Sequence, residues 1–553
     1  MRIAVILPHL PDLSGESGTS SISGASIALK VFLRLYANDP GVETLELFVA
    51  PRDLLNPAAI RKLAADLLEP SNLGKGKLEF HSLYSLPELW SDGHARVIHT
   101  DDLHALARDR DLRDRFATGP TVIACDIHCM GHRSISDSIR LVAQMPSNRF
   151  DRIYATSHAS ARSTEATFKA IGAPGHTVIE VRPRMIDGTG LRPCANPGEK
   201  AALRRTLGFS ESDVVALVVG RMTPATKADF VVLTEVFAAQ SRPSHHLVIA
   251  GHEEIIGYGK TVYDTAVKHG AAGRVHVRGG FGIGARGDLY RASDFLVFPA
   301  DSGNEVFGQA AVEAMACGIP VLATDWDGLK DTVEDGVTGI RVPTYAPPRL
   351  GRFDSLTSVA DDLTTLLLRA QATVVDRSAF GSAFEKLLND AELRARMGIA
   401  GAAVFHTKFL PEMLYRELTA SFREQLEIAA QESPTDRSVR RQWGLKHSQE
   451  VPAFEQFEAY GTRNLLSLGH WFQTTAKGRD ALMGYQAVEL VPEVSAVLPT
   501  VVIELLLSKL VSGKNSSEFE ALALTASLPP DLVTFGLAVL CKRGYIDVRS
   551  TQP

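Results

Sequence analysis

Between Asp301 and Gly318 the chain reads DSGNEVFGQAAVEAMACG. Two carboxylates, Glu305 and Glu313, stand in it as a Glu-x7-Glu pair, the first in a loop and the second in the helix expected to follow. Ionised carboxylates accept hydrogen bonds from vicinal hydroxyls, which is what a sugar or a ribose presents. Gly308, near the helix start, leaves room for a ligand to approach the backbone. The helix N-terminus offers unpaired N–H groups and a positive dipole end, which suit an anion such as a diphosphate. Upstream, Val219-Gly220-Arg221 ends an apolar run, and Lys227 follows at the next helix start. Two cations converging at a strand end can neutralise a diphosphate leaving group. Taken alone, the glutamates also fit a solvated helix face and the cations a surface pair.

Other segments invite chemistry less specifically. Pro11 to Gly24, PDLSGESGTSSISG, is rich in Gly and Ser and includes Gly18. It lies between a strand-like and a helix-like segment, where such a loop approaches a phosphate or a sugar closely or serves as a plain connector. Gly251-His252-Glu253-Glu254 forms a turn after another apolar run. Cys125-Asp126-Ile127-His128-Cys129, with His132 beyond, suggests zinc at first. Its spacing matches no C-x2-C pair and no second half-site such as H-x3-H accompanies it. It reads better as a strand end pointing into a cleft, with His128 the candidate and Asp126 second; a satisfied core histidine is the bland alternative.

Glu305-Val-Phe-Gly308, Glu313-Ala-Met-Ala-Cys-Gly318-Ile-Pro320-Val321 and Asp335-Gly336-Val-Thr-Gly339 together resemble the donor-site signature of retaining GT-B glycosyltransferases of family 4. The resemblance covers roughly residues 1–430 and is strongest from 214 to 342. It implies two Rossmann-like domains facing a cleft and transfer of a sugar from a nucleotide sugar with retained configuration. By resemblance, Arg221 and Lys227 neutralise the leaving diphosphate, Glu305 holds donor-sugar hydroxyls and Glu313 the ribose. Asn304, Val306, Phe307, Gly308, Gly251 and Gly18 border the donor, and His128 stands near the reacting sugar. The sequence departs from the family in placing five residues between Arg221 and Lys227, where four is more usual, and Ala228 where Gly is common. Asp294 matches a family position expected to be structural.

These parts imply same-face displacement through an oxocarbenium-like transition state, in which the leaving phosphate helps deprotonate the acceptor. Catalysis then rests on positioning and on stabilising negative charge at the diphosphate. No cofactor besides the donor is expected, and no metal. UDP is the default nucleotide among UDP, GDP and ADP. The competing reading is a catalytically silent GT-B protein that binds sugars or regulates, with a docking module at its C-terminus.

Placing these residues takes two doubly wound units. Apolar runs at Ile3–Leu7, Leu45–Ala50, Arg96–His99, Val122–Cys125, Arg152–Ala155 and Val178–Val181 alternate with helical patterns, which argues for a parallel sheet covered on both faces. After a Gly- and Pro-rich stretch at 187–198 the pattern restarts, with Val214–Val219, Leu247–Ala250, Val275–Arg278, Phe295–Phe298 and Val321–Ala323. The expected division is 1–190, an acceptor-side Rossmann-like domain; 191–410, a nucleotide-sugar domain; 411–431, a closing helix; 432–450, a linker; and 451–553, an accessory domain. In the last, helices at Val497–Val511, Ser517–Ala526 and Pro530–Arg543 and a strand at Tyr545–Val548 resemble a winged helix.

The chain has 553 residues, 45% hydrophobic and 22% charged, with a net charge of −6. That length suggests roughly three domains of about 150 residues. Five scattered cysteines imply no disulfide framework, and the short first apolar run reads as a strand rather than a leader, so a cytoplasmic protein is expected. Val494–Val511, interrupted by Pro499, Glu504 and Lys509, reads as core rather than a membrane span. From Glu450 to Pro553, 8 basic residues face 11 acidic ones, a net of −3. DNA binding requires phosphate neutralisation, so DNA is not the expected partner. A protein or peptide acceptor or partner is preferred, or a second copy bound through this module.

Overall fold

The computed structural model describes residues 1–7, 24–72, 74–348, 351–356, 359–447, 465–466 and 470–549. Two parallel sheets dominate it. The first contains β1 (Arg2–Leu7), β2 (Thr44–Val49), β3 (Leu78–Ser82), β4 (Arg96–Thr100), β5 (Thr121–Asp126), β6 (Arg152–Ala155) and β7 (Val178–Val181). Their order is β3-β2-β1-β4-β5-β6-β7. The second contains β8 (Val214–Val219), β9 (His245–Ala250), β10 (Val275–Arg278), β11 (Phe295–Phe298), β12 (Val321–Thr324) and β13 (Gly339–Val342), in the order β10-β9-β8-β11-β12-β13. Central strands such as VVALVV in β8 are apolar on both faces because helices cover both. In each sheet the order reverses beside the first strand, and ligands of such sheets sit outside the carboxyl ends there.

Two strands of these parallel sheets were not expected from the sequence. β3 (LEFHS) and β13 (GIRV) are edge strands, and their mixed burial leaves no continuous apolar run to detect.

The chain then returns to the first sheet. In the helix Pro411–Ala430, Leu414, Leu418 and Phe422 join the core of β1 and β2 beside Tyr36. Tyr415 donates to Asp39 at 2.7 Å, and Gln425 donates to the Tyr154 hydroxyl at 2.6 Å. The polar segment expected to be a linker is instead a helix, Pro434–Lys446, capped by Ser433. It docks through Arg440, which is buried and pairs with Asp114 and, at 2.7 Å, with Glu432. Asp114 also accepts from Arg113 at 2.5 Å, and Arg113 holds Asp151 at 2.9 Å. A buried ionic network replaces the apolar stripe that sequence reading looks for.

The C-terminal unit has its own core, in which Val502, Leu506, Val533, Leu537 and Leu540 meet Phe472 and Tyr545. Helices Thr500–Lys509, Phe519–Thr525 and Pro530–Lys542 pack on an antiparallel sheet ordered β15-β14-β16, where β14 is Trp471–Thr474, β15 Lys514–Asn515 and β16 Ile546–Arg549. The first helix starts later than expected because Pro499 occupies its N-cap. The apolar interior of Pro530–Lys542 is explained by burial, with Gly536 seated on Leu498, Val502 and Leu506. Among the described residues, no helix is long and apolar enough to cross a membrane.

Candidate functional site

The carboxyl ends of β8, β9 and β11 bring several of the expected residues together. Lys227 Nζ lies 2.6 Å from Glu305 Oε2, and the other oxygen of Glu305 accepts from Gly308 N at 2.8 Å. Glu305 is 6% exposed. Gly308 adopts φ +90, a left-handed conformation that caps the helix Gln309–Ala316, and a Cβ there would lie 2.7 Å from Leu329 Cδ2. The helix therefore begins at Gln309, two residues after the start expected near Phe307.

Arg221 follows β8 and donates to Glu254 Oε1 at 2.6 Å, while Thr226 donates to Glu254 Oε2 at 2.6 Å. Glu254 thus ties down the loop that separates Arg221 from Lys227. That loop takes its extra residue by turning back on itself: Ala228 N donates to Thr223 O at 3.2 Å. Ala228, where the family has Gly, is buried and does not adopt positive φ. Gly251 has a steric role. A Cβ on it would meet the Gly220 carbonyl, so the ends of β8 and β9 approach only because the residue is glycine. Asp294 is structural, accepting from Lys200 at 2.8 Å and from Val215 N at 2.7 Å.

Glu313 is buried and carries three donors: Arg286 at 2.8 Å, Gln309 at 2.8 Å and Tyr290 at 2.9 Å. A carboxylate offers about four lone-pair sites, so one remains for a ribose hydroxyl. Val306 and Asn304 face the first sheet. Val306 packs in the core behind β4 and β5, and its carbonyl accepts from Thr156 Oγ1 at 3.0 Å. Asn304 accepts from Gly131 N at 3.2 Å and meets His132 Nε2 at 3.3 Å. His132 also stands 3.3 Å from Asp362, and His158 N donates to Asp331 at 2.6 Å. The loop 304–308 is thus also the seam between the two sheets. Phe307 is buried against Phe409, with ring centroids 5.9 Å apart.

At the end of β5 both ring nitrogens of His128 are engaged. Arg184 can only donate, and it does so to Nδ1 at 2.5 Å. Nε2 therefore carries the proton and faces Asp101 Oδ1 at 3.0 Å. His128 keeps no free ring nitrogen for a substrate. Behind it, burial raises the pKa of Asp126 and lowers that of His99, and the two side chains stand 3.5 Å apart. The residues that suggested zinc point to different partners. Cys129 Sγ contacts Asp102 at 3.7 Å, and among the described residues no group of three His, Cys, Asp or Glu side chains could hold a metal ion. Gly18 lies outside the described residues.

Two further carboxyls lie beside this site, and the sequence assigned neither a role. Asp301 and Asp327 each keep a buried Oδ1 without a hydrogen-bond partner. Burial raises both to about 8, with the nearby Glu305 charge adding to the effect at Asp327. Asp327 also adopts φ 41, left-handed backbone that costs a non-glycine residue about 1 kcal/mol. An Asp-x-Asp spacing marks Asp327, but nothing local signals its burial.

Residues 199–352 match the family model Glycosyl transferases group 1. A D-inositol 3-phosphate glycosyltransferase of Thermobispora bispora is 30% identical over 291 residues, spanning 52% of this chain and 61% of that protein. One of the same description from Segniliparus rotundus is 34% identical over 172 residues, spanning 31% of this chain and 37% of that protein. The chain thus spans from about a third to three-fifths of the length of these curated relatives. Among solved structures, Anabaena HepE in complex with UDP and glucose superposes with a TM-score of 0.53 at 15% identity, covering 77% of this chain and 100% of that one. Sucrose-phosphate synthase of Thermosynechococcus elongatus gives 0.52 at 19%, covering 76% and 98%. The two parallel sheets and their cleft are a GT-B fold, and the second sheet, with the Lys227–Glu305 site, lies in the part of the chain that matches the group 1 glycosyl transferases.

Proposed function

We propose that this chain is a retaining glycosyltransferase that moves a sugar from a nucleotide-diphosphate sugar to an acceptor hydroxyl. The observation that carries the reading is the group of Lys227, Glu305 and Gly308 at the ends of β8 and β11. It sets a cation, a buried carboxylate and a helix N-terminus side by side at the cleft, inside the matched segment. Arg221 and Lys227 would draw negative charge onto the departing diphosphate, with the start of Gln309–Ala316 adding its dipole. Glu305 would hold sugar hydroxyls and Glu313 the ribose through its remaining lone pair. The acceptor hydroxyl attacks from the face the phosphate leaves, and a phosphate oxygen takes its proton. The charge needed is supplied by these side chains, so no metal is assigned a step. UDP is the proposed nucleotide, in line with the UDP complex of the Anabaena neighbour.

The C-terminal unit, with its three helices on a small antiparallel sheet, is proposed as a winged-helix-like docking module for a protein acceptor, a partner or a second copy. One observation favours a second reading, a catalytically silent protein: His128 and Glu313 are largely occupied by their own neighbours. The test uses purified protein with UDP-, GDP- and ADP-sugars, following donor hydrolysis and transfer. Glu305→Ala and Lys227→Ala should each lose on the order of 10²-fold in rate. If both match wild type, the assigned site is wrong. Donor binding without turnover would establish the silent reading, and a product of inverted configuration would remove retention.

A further inference from the structure

The segment joining the two sheets contains Arg184. Its neighbours divide between the two halves of the fold: Met185 packs in the core of β1 and β2, and Ile186 in the core of β8 and β11. Arg184 is 8% exposed. A guanidinium has five N–H donors, yet the hydrogen bond to His128 Nδ1 is its one such bond among the described residues, and no carboxylate there stands within 4.0 Å of it. Burying a charge without a paired counter-ion is costly, and removing its surroundings' compensation costs more. The other buried arginines of this half meet acids directly: Arg96 meets Glu46 at 2.7 Å, Arg113 meets Asp151 at 2.9 Å, and Arg110 meets Asp151 at 3.4 Å. Arg184 is the exception in having no acid within that distance; burial lowers its pKa, as it does that of Arg110.

Its position ties it to the cleft. The guanidinium lies 5.9 Å from the centroid of the Phe307 ring, within the loop 304–308. Among the carboxylates whose charge acts on it at a distance, Asp126 comes first and Glu305, which holds Lys227, second, with Asp101 and Asp102 after them. The thiol of Cys129 feels the positive charge of Arg221 and of Arg184 together, so one cation from each half of the molecule bears on the same point. A buried guanidinium with no carboxylate in direct contact, beside the loop that carries Glu305, is a place where a ligand can supply the close counter-ion.

We propose that Arg184 is a substrate-binding cation, completing with Arg221 and Lys227 a cradle for the diphosphate of a nucleoside diphosphate. This inference rests on the transferase reading, and it adds a contact from the first half of the fold to a site otherwise built on the second. It also gives His128 a purpose: by accepting from one edge of the guanidinium, the imidazole orients the remaining donors. His128 then acts as a positioning residue.

The test is calorimetric binding of UDP, and of uridine as the probe lacking phosphate, to wild type, Arg184→Gln, Arg184→Lys and Lys227→Ala, with thermal unfolding of each protein alone. Arg184→Gln should weaken UDP binding at least about tenfold, or 1.4 kcal/mol. It should leave uridine binding unchanged and flatten the salt dependence of UDP affinity, which a purely structural role would not do. Arg184→Lys should recover part of the loss, and it carries the test if the glutamine variant fails to fold. If Lys227→Ala weakens UDP but neither Arg184 variant does, Arg184 is not a diphosphate ligand and the transferase reading stands. Arg184 is likewise not a diphosphate ligand if Arg184→Gln weakens UDP and uridine equally. If wild type binds no UDP, GDP or ADP, both the reading and this inference fall.

Discussion

Gly251→Ala isolates one steric demand of the site. Gly251 follows β9, and the ladder between β8 and β9 runs on past the strands: Gly220 N donates to Ala250 O at 3.1 Å and Met222 N to His252 O at 2.7 Å. A Cβ at Gly251 would lie 2.7 Å from the carbonyl carbon of Gly220, with the oxygen nearer still, and 3.5 Å from Arg221 N. These are backbone atoms within a hydrogen-bonded ladder, so no side-chain rotation relieves the overlap. Either the end of β8 shifts by roughly an ångström or the ladder opens. Overpacking of this kind costs about 1–3 kcal/mol, and the rigid surroundings place Gly251→Ala at the upper end. The residue displaced is Arg221, and a misplacement near 1 Å costs on the order of 10²-fold in rate. The matched control is Gly273→Ala, where a new Cβ meets nothing within 4 Å and the backbone is not left-handed. Urea unfolding followed by circular dichroism should show a clear fall in midpoint for Gly251→Ala and none for Gly273→Ala. UDP affinity should fall only in the former. Indistinguishable midpoints and affinities in the two variants would refute the argument that the strand ends touch.

Two further outcomes follow from buried charge. The folded pKa of Asp301 is about 8, against an unfolded value near 3.9. The folded state therefore holds a proton that the unfolded state loses, and stability is full below about pH 4 and declines as pH rises through about 8. Asp301→Asn removes that proton, so between pH 5 and 7.5 the stability of wild type relative to the variant should fall by about 1.4 kcal/mol per pH unit; parallel curves would mean that Asp301 has an ionic partner. Arg440→Ala takes from Glu432 the nearer of its two arginines, leaving Arg437 at 3.6 Å, and takes one cation from Asp114; loss of one member of a buried pair costs about 3–5 kcal/mol. Arg113 still holds Asp114, which sets the expectation near 3 kcal/mol, measured as a shift in urea midpoint, and an unchanged midpoint would place the helix Pro434–Lys446 off the body.

What could be read in advance was whatever has a local cause. β8 through β12 were legible because a strand covered on both faces must be apolar along its length. Lys227, Glu305 and Gly308 were singled out through the resemblance of the motifs around them, since residue type alone left a solvated helix face and a surface pair open. The helix Pro434–Lys446 was not. Its exposed residues are mostly polar and its anchor is Arg440, so a helix held by buried ion pairs carries the composition of a linker. Glu313 was expected to hold a ribose, and nothing in its own helix reports that two of its three donors, Arg286 and Tyr290, come from a helix 23 or more residues away. Val306 was expected beside the donor and lies in the core of the other sheet. No periodicity within a segment reports a partner in another sheet.

The same distinction bears on how the cleft works. The loop 304–308 is held at one end by chemistry of the second sheet, through Lys227 and Gly308 on Glu305. At its other end it is held by the first sheet, through Thr156 on Val306 and Gly131 and His132 on Asn304. A loop of five residues cannot satisfy both sets of contacts if the halves separate. Any opening of the cleft must release the bonds at Asn304 and Val306, and closing it must restore them beside Glu305. The Lys227–Glu305 contact and domain closure are therefore coupled through covalent continuity of five residues, without need of a longer relay. Arg184 lies on the connector that must flex in the same motion, with one neighbour in each core. An anion bound between Arg184 and the Arg221–Lys227 side would draw the halves together, so that assembly of the charged site and closure of the fold become one event.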